Sequence, residues 1–214
     1  MPFKTSYFRE EEFWNVLTHG LGALFSLAGL ILLIYFSAQN GTALDVVCAT
    51  VFGASMLMLY TASALYHAAG NEKRKTVFRK LDHLCIYILI AGTYTPVALL
   101  GLKGAWGWSI FGSVWGLALL GFVFKFSPLR NSEKLSLCLY ALMGWLIIVA
   151  IKPLIYSLST EALWFMGLGG LFYTVGIYFY ANEKIPFNHT IWHVFVLAGT
   201  AFHYFGILWY VLPG

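Results

Sequence analysis

Residues 16–37 read VLTHGLGALFSLAGLILLIYFS, twenty-two residues without a single Asp, Glu, Lys or Arg. A helix rising about 1.5 Å per residue needs roughly 20 apolar residues to cross the hydrocarbon core of a bilayer. This stretch is long enough. Six more apolar stretches of similar length follow, each with at most one such residue, at about 44–69, 81–101, 106–125, 135–151, 162–181 and 188–211. The breaks between them are short and polar: Gln39-Asn40-Gly41, the basic run Asn71 to Lys80, Gly101 to Gly104, Ser127 to Lys134, Lys152 to Glu161, and Asn182 to Asn188. The expected fold is all-α, a single integral-membrane bundle of seven helices over residues 1–214, with no soluble domain, long linker or internal repeat.

Composition points the same way. Of 214 residues, 60% are hydrophobic and only 10% charged, where a soluble domain carries about a quarter. That deficit excludes an ordinary soluble enzyme and a disordered chain. A net charge of +4 is far too sparse for a nucleic-acid partner. The 21 glycines allow close helix approach, and the 8 tryptophans and 13 tyrosines suit membrane interfaces. Cys48, Cys85 and Cys138 are too few and scattered for a disulfide framework and read as small packing residues. Glu10, Glu11 and Glu12 precede the first apolar run, a poor start for a secretory signal, so the first span is expected to stay in the mature protein.

Orientation follows from lysine and arginine, which accumulate in cytoplasmic loops. Counting alternate sides gives eleven basic residues with the N-terminal tail and two, Lys103 and Lys152, opposite. The N-terminus is therefore expected in the cytoplasm and the C-terminus outside, the reverse of a G-protein-coupled receptor. No lysine lies within span seven, so a retinal Schiff base has no attachment point.

Ionisable residues inside a span are costly and normally face a partner or a cavity. They are His19, His67, Asp82, His83, His189, His193 and His203. In this topology all but His203 fall in one inner layer, though they come from four helices. His189 and His193, four residues apart, share a helix face and can grip one ion, with His67 supplying a third nitrogen from span two. Three histidines leave a tetrahedral zinc ion one open position for water, the pattern of catalytic sites. Asp82 is then a candidate base or outer-shell acceptor, and Ser63, one turn before His67, a candidate donor to that water.

Plainer roles compete. Asp82 fits an ion pair with Lys80 or Arg79 equally well on spacing, His83 is expected to snorkel to the headgroups, and His19 fits a cap or anchor of span one. Cys85 reads as packing before it reads as a fourth ligand. His203 lies about 15 Å beyond His193 along the helix, too far to share the ion. Trp106, Trp108, Trp115, Trp209 and Tyr210 read as interfacial belt and helix packing. Pro96 should kink span three by freeing the Gly92 carbonyl, with Thr93 or Thr95 able to satisfy it.

Ser63-Ala-Leu-Tyr-His67, Leu81-Asp82-His83 followed by Gly92-Thr93-Tyr94-Thr95-Pro96, His189-Thr-Ile-Trp-His193, and Asn15-Val-Leu-Thr18-His19-Gly20 near the start together resemble the bacterial hemolysin III branch of the progestin and adipoQ receptor superfamily. The resemblance covers almost the whole chain. It implies a multi-pass protein of the bacterial cell membrane with zinc near the cytoplasmic face. By motif position His67, His189 and His193 would be the zinc ligands, and Asp82 and Ser63 would act around the bound water. With only about a dozen residues before span one, adiponectin binding does not carry over.

Two functional classes remain in view. One is a zinc-dependent hydrolase of lipid amides or esters, or a lipid-responsive homologue in membrane-lipid homeostasis, as alkaline ceramidases among the related families imply; its partner is a membrane lipid, as substrate or ligand. The other is non-enzymatic: a receptor-like sensor with structural zinc, or a cytolysin. A metal transporter would want ligands along the whole path, and spans four to six contain none that ionise away from their ends.

Overall fold

The computed structural model describes residues 2–128 and 132–213, with side chains from Glu10 onward. Arg130 and the side chains of Lys4 and Arg9, which entered the basic-residue count, lie outside the described residues. The elements in order are α1 (Pro2–Asn40), α2 (Ala43–Ala68), α3 (Glu72–Pro96), a π-helical turn (Val97–Leu102), α4 (Gly104–Phe126), α5 (Glu133–Gly144), a 3-10 segment (Leu146–Ala150), α6 (Ile151–Ser157), α7 (Thr160–Ala181) and α8 (Asn188–Tyr210). Among the described residues seven helical stretches are long and apolar enough to cross a membrane: Glu10–Asn40, Ala43–Ala68, Glu72–Leu102, Gly104–Phe126, Glu133–Ser157, Thr160–Ala181 and Asn188–Tyr210.

Local chemistry starts the helices where the polar breaks stand. At α2 the Asp45 carboxylate accepts from the Thr42 backbone N–H at 2.7 Å. Asn71 Oδ1 accepts from Arg74 N at 2.9 Å to open α3, and Ser159 Oγ accepts from Ala162 N at 3.2 Å to open α7. Each occupies one of the orphan donors of a helix N-terminus. At the start of α8 the residue before it, Phe187, has left-handed φ (54°) and offers no side-chain cap. That end is served instead from another helix, as Glu11 Oε1 accepts from His189 N at 3.4 Å.

Helices α1, α2 and α3 pack in sequence, α7 packs along α8, and α8 returns to α1. Span three is the most buried of the seven. Outward faces remain apolar, with Phe25, Ile31, Leu119, Val149 and Trp164 exposed, as expected of helices whose solvent is lipid. Lipid tails are as apolar as leucine, so association rests on close packing and interhelical hydrogen bonds. Gly92 lets Ser55 approach α3, and Gly121 lets the Tyr87 ring lie against α4; a Cβ at either would collide.

Two spans differ from their sequence reading. Thr93 and Thr95 do not reach the Gly92 carbonyl; they donate to Leu89 O (2.8 Å) and Ala91 O (2.9 Å), the ordinary back-bond of a hydroxyl to the carbonyl four residues earlier. Thr95 Oγ1 also accepts from Trp115 Nε1 at 3.1 Å, tying span three to span four. Span five, expected as one helix over 135–151, is broken into α5, the 3-10 segment and α6 over Glu133–Ser157. The Tyr94 hydroxyl enters the break, donating to Gly144 O at 2.8 Å and accepting from Ile147 N at 3.0 Å. Backbone groups released inside a membrane need such a partner. Pro153 falls in the first turn of α6, where its missing N–H matters least.

Candidate metal centre

The C-terminal end of α2, the first half of α3 and the start of α8 meet on the side of the bundle that carries Glu10. There His67, His189 and His193 form a group whose ligand atoms all lie within 4.8 Å of one another. Their ring centroids are 4.7–5.1 Å apart. The Nε2 atom of each is buried and has no hydrogen-bond partner in the protein. One such orphan is costly, and three on neighbouring rings make a site a shared guest could satisfy.

Two Nδ1 atoms carry partners that select the tautomer. Glu12 Oε2 lies 2.5 Å from His67 Nδ1, and a carboxylate only accepts, so Nδ1 bears the hydrogen and Nε2 is the nitrogen left to face the group. Thr18 Oγ1 lies 3.2 Å from His193 Nδ1. Its own proton is committed to Trp14 O at 2.8 Å, so it too accepts. Metal-binding histidines are held this way. Three imidazoles that each offer a ligand nitrogen within 4.8 Å of the others fit a borderline-soft divalent ion. The group could therefore hold a metal ion.

The other ionisable residues occupy distinct places. His19 is buried and stacks flat on His193, centroids 3.4 Å apart and planes 9° from parallel, with Tyr60 edge-on at 5.0 Å. It is neither a cap nor an interfacial anchor. Asp82 is buried and forms no ion pair with Arg79 or Lys80; Ser63 is its polar neighbour and Lys125 the cation acting on it. The Ser63 hydroxyl, also buried, closes no hydrogen bond of ordinary geometry.

His83 does not snorkel, for its Nδ1 lies 3.2 Å from Lys125 Nζ. Lys125, the last residue of the expected span four, is buried in the last turn of α4 and donates to Ser136 Oγ at 2.7 Å. His203 stands apart, its Nδ1 3.4 Å from Met166 Sδ. Cys85 belongs to the apolar core.

A cavity of about 890 Å³ opens beside this centre. His19, Asp82 and His189 line one end, and Leu154, Ile155 and Thr160 the other; the wall between is mostly aliphatic and aromatic. It is bounded chiefly by α3, α5, α7 and α8, and α5 and α7 touch only lightly.

The sequence reading missed the contribution of α1. Glu11, Glu12, Asn15 and Thr18 all touch the centre, Asn15 with its Nδ2 3.5 Å from His67 Nδ1 while its Oδ1 accepts from Thr190 Oγ1 at 2.6 Å. Their three- and four-residue spacing is one helix face. That polar stripe at the mouth of an apolar helix was the available signal.

Comparison with known proteins finds similarity along almost the whole chain. The chain is 47% identical over 210 residues to "Hemolysin-3" of Bacillus cereus, covering 98% of this chain and 96% of that one. It is 48% identical over 201 residues to the "Hemolysin-3 homolog" of Bacillus subtilis (strain 168), covering 94% of each. A more distant similarity, 27% over 206 residues and 92% and 83% of the two chains, joins it to the human "Monocyte to macrophage differentiation factor". The family model described as "Haemolysin-III related" matches residues 7–204, and the chain thus belongs to the haemolysin III family of multi-pass membrane proteins.

Proposed function

We propose that this protein is a zinc-dependent hydrolase of membrane lipids, cleaving an amide or ester bond at the inner end of the cavity. The observation that carries the reading is a group of three histidines with unpartnered Nε2 atoms, next to an apolar cavity that a buried aspartate, Asp82, also lines and that is large enough for an acyl chain. His67, His189 and His193 would hold the ion. A bound zinc ion lowers the pKa of a coordinated water towards ~7 and polarises a carbonyl. Asp82 takes up the proton that the attacking water loses and returns it to the leaving amine or alcohol. Ser63, beside Asp82, orients that water. The apolar wall from Ile86 to Leu154 excludes bulk water and holds the chain of the lipid, which enters laterally where α5 and α7 touch only lightly.

With the basic run Asn71 to Lys80 on the same side, the centre lies towards the cytoplasm. The name of the Bacillus relatives adds a second reading, cell lysis. An apolar cavity is not the polar path of a conducting pore, so in that reading lysis follows from lipid turnover. The test is fatty-acid release from a panel of ceramides and phospholipids in nanodiscs, with zinc quantified on the same samples. Release that depends on zinc and on Asp82 supports the hydrolase. No release from any lipid, with the cellular phenotype still lost in Asp82→Asn, would leave a metal-stabilised sensor as the better account.

A further inference from the structure

One carboxylate joins the metal group to the basic segment at the start of α3. Glu12 Oε2 accepts from His67 Nδ1 at 2.5 Å, and Glu12 Oε1 accepts from Lys75 Nζ at 2.6 Å. Both oxygens are thus engaged, by residues 55 and 63 positions away in sequence. Lys75 balances the charge of the carboxylate that holds His67 Nδ1, which leaves Nε2 as the nitrogen facing the group. Lys75 is itself held over the Tyr66 ring, 5.6 Å from its centroid. Tyr66 immediately precedes His67, so the clamp closes on the same turn of α2 that carries the metal-facing nitrogen.

We propose that Glu12 is the positioning residue of the metal centre, fixing the tautomer and the orientation of His67, with Lys75 as its counter-ion. Glu12 does not touch the ion. It acts through His67, as carboxylates behind metal-bound histidines generally do, where their loss weakens metal binding by roughly 10- to 100-fold. Lys75 acts one step further out, and its removal should weaken binding by no more than about fivefold, as for other partly exposed ion pairs. This inference rests on the metal reading of His67, His189 and His193.

The experiment uses the full chain purified in detergent. Zinc affinity is measured by competition with a chromophoric chelator, and the visible spectrum is recorded after loading with cobalt. Glu12→Ala should bind zinc roughly 10- to 100-fold more weakly and shift the cobalt bands. Glu12→Gln keeps the shape and an acceptor oxygen but loses the charge assistance, which roughly doubles the strength of such a bond; it should fall between Glu12→Ala and wild type. It also keeps the test alive where the alanine variant fails to fold. The metal-free proteins should unfold at the same temperature, which separates positioning from a merely structural role. If Glu12→Gln and Glu12→Ala bind as tightly as wild type while His67→Ala has lost the ion, the Glu12 assignment falls and the metal reading stands. If His67→Ala also binds as wild type, both fall.

Discussion

Thr18 Oγ1 sits 3.2 Å from His193 Nδ1 and accepts its hydrogen, because the threonine proton is already given to the Trp14 carbonyl. Span one thereby dictates which nitrogen span seven turns toward the metal group. Thr18→Val keeps the branched shape and removes the acceptor, freeing His193 to exchange tautomers. Zinc affinity should fall roughly tenfold, whereas His83→Ala, whose ring faces Lys125, should leave it unchanged. Chelator competition on the purified variants checks both.

Asp82 separates catalysis from structure. Asn has nearly the same shape but takes up no proton. Asp82→Asn should keep the fold and the zinc and lose about 100-fold or more of any lipid amide or ester hydrolysis, the usual scale of a general base. A variant as active as wild type in the fatty-acid release assay would remove Asp82 from the mechanism.

Tyr94 tests the break in span five. Tyr94→Phe deletes the hydroxyl that serves both Gly144 O and Ile147 N, leaving a backbone donor and acceptor unpaired in an apolar surrounding. The expected loss is about 1–3 kcal/mol, read as a lower unfolding temperature in detergent. An unchanged temperature would mean that the broken helix does not depend on this bond.

The side of the membrane is tested by reporter fusions. The asymmetry of basic residues predicts activity after Gly214 only in the periplasmic or extracellular compartment, and within Asn71 to Lys80 only in the cytoplasm. Reversed activities would move the metal group to the outer layer.

The seven spans were legible because each is a window of about 20 apolar residues, a length the bilayer itself sets. His189 and His193 were legible because helical spacing alone puts them on one face, and His67 because the span order puts it at the same depth. What escaped the reading is non-local. Span five breaks where a hydroxyl from α3, about fifty residues earlier, can serve the opened backbone. Lys125 reads as a boundary cation at the end of span four, yet Ser136 and His83 draw its amine inside. Glu12 looks like part of a solvated acidic run, because only the docking of α1 on α2 brings it to His67 and to Lys75 at the start of α3.

The central claim is that three histidines hold one metal ion, and the most direct measurement of it is metal content by elemental mass spectrometry. The full chain is purified without chelator or added metal, alongside His67→Ala, His189→Ala and His193→Ala. The account predicts about one zinc per wild-type chain and at least tenfold less in each variant, since losing one of three protein ligands leaves an incomplete shell. Equal zinc in wild type and all three variants would contradict it.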